Sequence, residues 1–309
     1  MVAATGAERT SDRLPGAVKK PPGARFGGPP FFEGGAGGMG EQGNSAGAVQ
    51  AGDITVAWSE RGTGEPLLLI AGYGSTRLIW EEAALDRLAQ RHRVIVFDQR
   101  GVGDTDAGTA GFSIRCFAED ACGLLQGLGL ERCSVLGWSM GSLVAQELAL
   151  AHPERVDRLV LYASYADWSF PPPQETIDLL SDESGTSEER GMRWVQVLFP
   201  PGWLAANGRR VNEIFSRPLG RIPGESVIRQ QKAIQDWEGS MERLETLRMP
   251  TLLLSGEQDA LVPPENSRQM ARRLPNAVLR IVPETGHGLM FQDPESFCSL
   301  VLDFLGDRL

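Results

Sequence analysis

The sequence predicts an α/β protein with a mostly parallel sheet, flanking helices and a helical insertion late in the chain. Three observations carry this. Short apolar runs without alternation, such as "LLLIAGYG", "RVIVF", "CSVLG" and "VDRLVLYAS", read as central strands covered on both faces. Amphipathic helical stretches separate them, and that alternation is the mark of βαβ units. The pattern then fails between Tyr165 and Leu247 and resumes with "MPTLLLSGEQD" and "VLRIVPETG".

The chain has 309 residues, which suits one large domain or a domain with an insertion. Residues 1–47 are rich in Gly, Pro and Ala and lack apolar periodicity, so they read as disordered. Order is expected from Ala48, with "AVQ" and "ITVAW" as a hairpin around Ala51–Asp53. "LLLIAGYG" is a strand, Leu78 to Gln90 a helix, and "RVIVFDQRGVGDTD" a strand with a Gly-rich exit. "FAEDACGLLQGLGL" ends in glycine as helices do, "CSVLG" is a strand, and "SMGSLVAQELALAH" a helix. The core is therefore assigned to 48–164 and 248–309. Residues 165–247, with helical pieces broken by Pro and Gly, form a helical cap.

Composition excludes several classes. The apolar fraction is 41%, the charged fraction 23% and the formal charge −10. Nucleic-acid binding needs clustered Lys and Arg, so no nucleic-acid partner is expected. No apolar run is long enough to span a bilayer, so no membrane partner is expected. Cys116, Cys122, Cys133 and Cys298 have neither disulfide nor metal spacing and read as free, mostly buried thiols, with no metal site. The N-terminus shows no secretory apolar segment, and a cytoplasmic location is expected. "AGYGST" lacks the third glycine of a dinucleotide-binding turn, so no cofactor is expected.

The chemistry concentrates at "SVLGWSMGSLVAQEL". Gly137-Trp138-Ser139-Met140-Gly141 fits G-x-S-x-G between a strand and a helix. The turn is tight enough that side chains at either glycine would clash, and its strain holds Ser139 Oγ out at the tip. A serine needs a base. The chain has three histidines. His92 precedes a strand and reads as surface, and His152 reads as a cap at a helix C-terminus. His287, in the Gly-flanked loop "ETGHGLMFQDPESF", is the candidate base. "LLLSGEQDALVPPE" places Asp259 after the penultimate strand to orient the imidazole, with Glu257 as a neighbouring rival. Asp106 and Asp120 precede the serine, outside the Ser–Asp–His order.

"GWSMG", "DQRGVGDT", "SGEQDALVP" and "GHGLMFQDPESF" together resemble the α/β-hydrolase superfamily, from about Ala48 to Leu309. The flavour is similar to capped enol-lactonases, carboxylesterases and cofactor-free haloperoxidases. The resemblance implies an oxyanion hole from the backbone N–H groups of Tyr73 and Met140, with Ala71-Gly72 where relatives often have His-Gly. It also implies that Asp98 and Arg100 fix a structural turn, with Thr105 where Ser is usual. Ser139 at the turn, rather than Asp, argues against dehalogenase and epoxide-hydrolase chemistry. The expected function is acyl transfer from a small ester or lactone to serine and then to water. C–C bond hydrolase, thioesterase and perhydrolase activities use the same residues and stay open, as does a slow-turnover ligand receptor.

Trp138 and Tyr73 are expected to line the substrate pocket. Of Trp168, Trp194, Trp203, Trp237, Phe170, Phe199 and Phe215, some are cap core and some pocket wall. An anionic substrate would require one of Arg193, Arg209, Arg210 or Arg221 to face it.

Overall fold

The computed structural model describes residues 44–308. The disorder expected for the N-terminal segment falls on residues that, up to 43, lie outside that range. The first strand, β1 (Asn44–Ala51), begins before the expected Ala48 because its whole length finds a partner. It pairs antiparallel with β2 (Ile54–Arg61) from Ala51↔Ile54 out to Asn44↔Arg61.

Six further strands follow. They are β3 (Glu65–Ile70), β4 (His92–Phe97), β5 (Cys133–Trp138), β6 (Val156–Tyr162), β7 (Thr251–Gly256) and β8 (Ala277–Val282). The eight strands form one sheet in the order β1-β2-β4-β3-β5-β6-β7-β8. The β1–β2 and β2–β4 pairs are antiparallel, and every pair from β4 to β8 is parallel. Alternate residues serve opposite faces, as the pleat requires. Leu68 and Ile70 join Val135, Leu159 and Leu161 in one apolar core, whereas Leu67 and Leu69 join Leu136, Val160 and Leu252 in the other.

Helices cover both faces. α1 (Glu82–Ala89) and α11 (Pro294–Leu305) close the core of Leu67 and Leu69. α2 (Ile114–Gly127) and α3 (Met140–Ala151) close the other. Local caps fix the helix starts: Ser113 Oγ accepts from Cys116 N, and Asp293 Oδ1 accepts from Ser296 N. The helix expected from Leu78 to Gln90 is interrupted. Arg77–Ile79 forms a 3₁₀ turn, and Trp80 and Glu81 stay extended before α1. Burial wins over helix propensity there, because Trp80 is 1% exposed and packs at 6.3 Å against Trp138.

Between β6 and β7 lie α4 (Gln174–Ser181), α5 (Ser187–Leu198), α6 (Pro201–Ala206), α7 (Gly208–Phe215) and α8 (Gly224–Asp236). Buried polar contacts tie this helical segment to the core. Glu147 of α3 accepts from Trp237 Nε1 at 2.7 Å and from Arg243 at 2.8 and 2.5 Å. Among the described residues no helix is long and apolar enough to cross a membrane. α9 (Pro264–Ala271) and the short α10 (Leu289–Gln292) complete the fold.

Candidate active site

The turn after β5 explains its own sequence. Ser139 has φ 55° and ψ −124°, a left-handed backbone that L side chains rarely adopt. A Cβ on Gly137 would sit 2.3 Å from the Gly141 carbonyl oxygen, and one on Gly141 would sit 2.1 Å from that of Ile70. Both glycines are therefore obligatory for the packing of β5, α3 and the end of β3. The strained serine is clamped from two sides. Its N–H donates to Tyr162 O at 3.0 Å, and its carbonyl accepts from Ser142 N at 2.8 Å and Ser142 Oγ at 2.6 Å.

His287 follows β8 and is 1% exposed. Its Nδ1 lies 2.9 Å from Oδ2 of Asp259, which is 4% exposed. Asp259 Oδ1 accepts from Leu261 N at 2.9 Å and Val262 N at 2.8 Å, so both its oxygens are committed and the carboxylate cannot swing. A carboxylate accepts only, which assigns a ring proton to Nδ1, so the lone pair of a neutral imidazole here is on Nε2. Ser139 and His287 line the same cavity. The rival Glu257 is exposed, and its carboxylate accepts from Glu284 N at 3.4 Å.

Two side chains that hold this loop were not foreseen as such. Tyr162 donates its buried hydroxyl to His287 O at 2.6 Å, and Trp138 Nε1 donates to the same oxygen at 3.3 Å. The Trp138 ring stands 5.6 Å from the imidazole and stacks on Tyr162 at 6.2 Å and 19°. Trp138 thus lines the cavity, as expected, and also fixes the histidine backbone. The signal for Tyr162 was a polar tip ending the apolar run "LVLY". Burial raises its hydroxyl well above the ordinary tyrosine range, so it stays a donor.

Tyr73 and Met140 both border the cavity beside Ser139. Met140 is the first residue of α3, so its N–H has no carbonyl one turn back within the helix. The turn carrying Tyr73 is anchored by Gln230 of α8, whose Oε1 accepts from Gly74 N at 2.9 Å. Gln230 is fully buried and lies 156 positions away in the chain, so nothing near "AGYGST" announces it.

The other titratable candidates fall outside the cavity lining. His92 lies inside β4 rather than before it, half-buried, with Nδ1 3.3 Å from Glu65 O, and burial lowers its pKa. His152 caps α3 and places Nε2 3.0 Å from Glu119. Asp98 is buried and accepts from Arg77 N at 2.7 Å and Asp104 N at 2.9 Å, with the Arg77 guanidinium beside it. Thr105 Oγ1 donates to Asp98 O at 2.8 Å and accepts from Ala57 N at 2.9 Å, so threonine fills this turn as serine would. Arg100 pairs with Asp120 at 2.9 and 2.6 Å, and Asp106 accepts from Thr55 N at 3.1 Å. All four cysteines are free, and burial pushes Cys133 and Cys298 up to about 12.

The cavity is mainly apolar. Trp168, Trp194, Phe170 and Phe215 line it, whereas Trp203, Trp237 and Phe199 lie outside its lining. Trp203 stacks on Phe199 at 4.7 Å, and Trp237 serves Glu147. None of the four candidate arginines lines it. Arg193 pairs with Asp182, Arg209 with Glu213 and Arg210 with Glu81, while Arg221 is exposed. Among the described residues the lining includes the acidic side chain of Asp167 and no lysine or arginine. Three of the four arginines are held by a carboxylate on their own or a neighbouring element, which composition cannot foretell.

The alpha/beta hydrolase fold family matches residues 65–294. The chain is 34% identical over 247 residues to a protein of Pseudomonas savastanoi pv. phaseolicola named as a carbamate hydrolase, RutD, covering 77% of this chain and 93% of the relative. It is 28% identical to a protein of Mycobacterium tuberculosis named as a non-heme bromoperoxidase, BpoC, over 81% of this chain and 97% of that one. Among solved structures it resembles a thermophilic esterase from Thermogutta terrifontis, with a TM-score of 0.72 and 26% identity, covering 85% of this chain and 99% of that one. With strand order, elbow and family match in agreement, the chain belongs to the alpha/beta hydrolase fold family.

Proposed function

We propose that the protein is a serine hydrolase that cleaves a small, uncharged carboxylic ester or lactone through an acyl-enzyme. The observation that carries this reading is a strained serine on the same cavity as a histidine whose far nitrogen is held 2.9 Å from a buried aspartate. Ser139 Oγ attacks the carbonyl carbon while His287 Nε2 takes its proton. Asp259 keeps Nδ1 protonated and stabilises the imidazolium that forms. The Tyr73 and Met140 N–H groups receive the oxyanion, each contributing about 3 kcal/mol to the transition state. His287 then gives its proton to the leaving alcohol oxygen. In the second half it deprotonates water, which attacks the acyl carbon and frees Ser139. No cofactor is needed, because every proton and electron pair moves among these groups.

The restriction to uncharged substrates follows from the lining. An anion would meet Asp167 and an apolar wall in place of a cation, and would lose its hydration without compensation. This bears on the relatives named for carbamate hydrolysis. A neutral carbamate ester uses the same steps, whereas a free carbamate anion is disfavoured here.

Stopped-flow turnover of p-nitrophenyl acetate and butyrate tests the proposal, with Ser139→Ala beside wild type. A burst and steady turnover are expected in wild type, with a loss of about 10⁴-fold or more in the variant. Equal turnover in the two proteins would refute the role of Ser139. Absence of both turnover and fluorophosphonate labelling in wild type would refute an activated nucleophile.

A further inference from the structure

Burying a hydroxyl or a side-chain amide is unfavourable unless each polar atom finds a partner. α3 nevertheless buries Ser142 and Gln146, four residues apart and so on one face, directly after the serine turn. Ser164, which follows β6, and Ser240, where the helical segment returns toward β7, are buried with them. All four are at most 1% exposed. They form one hydrogen-bonded network that ends on the Ser139 carbonyl.

One placement of the protons satisfies every contact. Ser240 Oγ lies 2.5 Å from Gln146 Oε1, which only accepts, so Ser240 donates. Gln146 Nε2 donates to Tyr165 O at 3.0 Å and to Ser164 Oγ at 3.0 Å, which fixes the sense of the amide. Ser142 Oγ lies 2.6 Å from Ser139 O and donates to it, since a carbonyl supplies no proton. Its single proton is then spent, so in the remaining contact, at 2.8 Å, Ser164 Oγ donates to Ser142 Oγ. The donors thus run in one direction, from Ser240 to the Ser139 carbonyl. Hydrogen bonds aligned in this way polarise one another. Ser142 N adds a second donor to the same carbonyl at 2.8 Å.

That carbonyl belongs to the peptide group whose N–H is on Met140. The peptide is planar and trans, so its C=O and N–H point in opposite directions. The carbonyl is held toward Ser142, inside α3. The N–H is therefore aimed out of the start of the helix, where Ser139 and Met140 border the cavity. Hydrogen bonding at the carbonyl also draws electron density from the amide nitrogen and makes the N–H a stronger donor. We propose that Ser142, Ser164, Gln146 and Ser240 are positioning residues that aim and polarise the Met140 N–H for the oxyanion of the transition state. This deepens the serine-hydrolase reading, on which it rests. It also ties both ends of the helical segment, at Tyr165 and Ser240, to the oxyanion site.

Kinetics of the intact chain on p-nitrophenyl butyrate test it, with thermal unfolding to show that each variant is folded. In Ser142→Ala, kcat should fall about tenfold while KM stays within about twofold, because the lost interaction acts on the transition state. Ser142→Cys, of similar volume and with a weak S–H donor, should lose only about threefold. The probe 1,1,1-trifluoro-2-hexanone takes Ser139 Oγ onto its carbonyl carbon; the π pair moves to oxygen and the serine proton to His287 Nε2. Its affinity should fall about tenfold in Ser142→Ala, whereas plain 2-hexanone should bind both proteins alike. The pH profile of kcat/KM should not move, since His287 keeps its partners. Ser164→Ala breaks the network one bond further out and should lower kcat about threefold, which carries the test if Ser142→Ala does not fold. An unchanged kcat in either folded alanine variant would overturn the proposal. A fall in kcat with full affinity for the trifluoromethyl ketone would overturn it too, by placing the hydroxyl's effect outside oxyanion binding. A shifted pH profile would assign the effect to His287 and overturn it equally. In each of these cases wild-type turnover leaves the serine-hydrolase reading standing. A wild type with neither turnover nor fluorophosphonate labelling would sink both.

Discussion

The turn from β5 into α3 and the helical segment from α4 to α8 both border the cavity, yet they are specified in opposite ways. In the turn, five consecutive residues fix the geometry, because a Cβ at Gly137 or Gly141 would overlap backbone oxygens. In the helical segment, the groups that matter are scattered. Trp168, Trp194, Phe215 and Gln231 reach the cavity from the stretch before α4 and from three separate helices. Gln230 reaches the Tyr73 turn across 156 positions. A turn this strained tolerates almost no variation, whereas a wall of side chains on helices varies one residue at a time. On the proposed function, the division is between a region that sets reactivity and a region that sets what enters.

Substitutions can break this contrast at either end. Gly141→Ala should be the most severe, since its Cβ would lie 2.1 Å from Ile70 O and 2.5 Å from Ala71 O. Backbone cannot retreat from such an overlap cheaply, and a loss of about 3 kcal/mol or more is expected in urea unfolding. A stable, active Gly141→Ala protein would show that the elbow is more plastic than the backbone contacts imply.

Gln230→Leu tests whether the helical segment also serves reactivity. It removes the acceptor of Gly74 N but also a buried Nε2 that has no partner, so net stability should change little. The Tyr73 turn would loosen, and kcat should fall about tenfold while KM moves less. An unchanged kcat would confine the segment to binding.

The smallest effect is expected at Glu147, which joins the two regions. Burial raises its pKa, but the Arg243 guanidinium and the Trp237 N–H outweigh that and leave it lowered. A carboxyl lowered in the folded state contributes stability that is complete above the ordinary glutamate range. That contribution is lost as pH falls through the lower folded value. Glu147→Gln should therefore cost about 1 kcal/mol near neutral pH and flatten the decline of stability in acid. Thermal unfolding across the acidic range checks it, and an unaltered slope would remove Glu147 from the account.

Much of the site was legible because it is local. The glycines around Ser139 record a backbone constraint that acts over four residues. Only three histidines exist, and one sat in a glycine-flanked loop after a strand. Asp259 was separable from Glu257 by its place in the loop, and the structure gives the reason: Asp259 turns inward onto Leu261 N and Val262 N while Glu257 stays exposed. The break of the helix at Trp80 was not legible, because it depends on Trp138, far away in sequence.

The sequence by itself determined the parallel sheet, the elbow, the three residues proposed for chemistry and the thiol inventory. These rest on hydrophobic periodicity, steric limits and simple counts, all of which act at short range. Tertiary structure alone decided which aromatics face the cavity and which carboxylates absorb arginines of the insertion. Those outcomes depend on how distant helices dock, and a side chain's partner across 100 residues leaves no mark beside it in the chain.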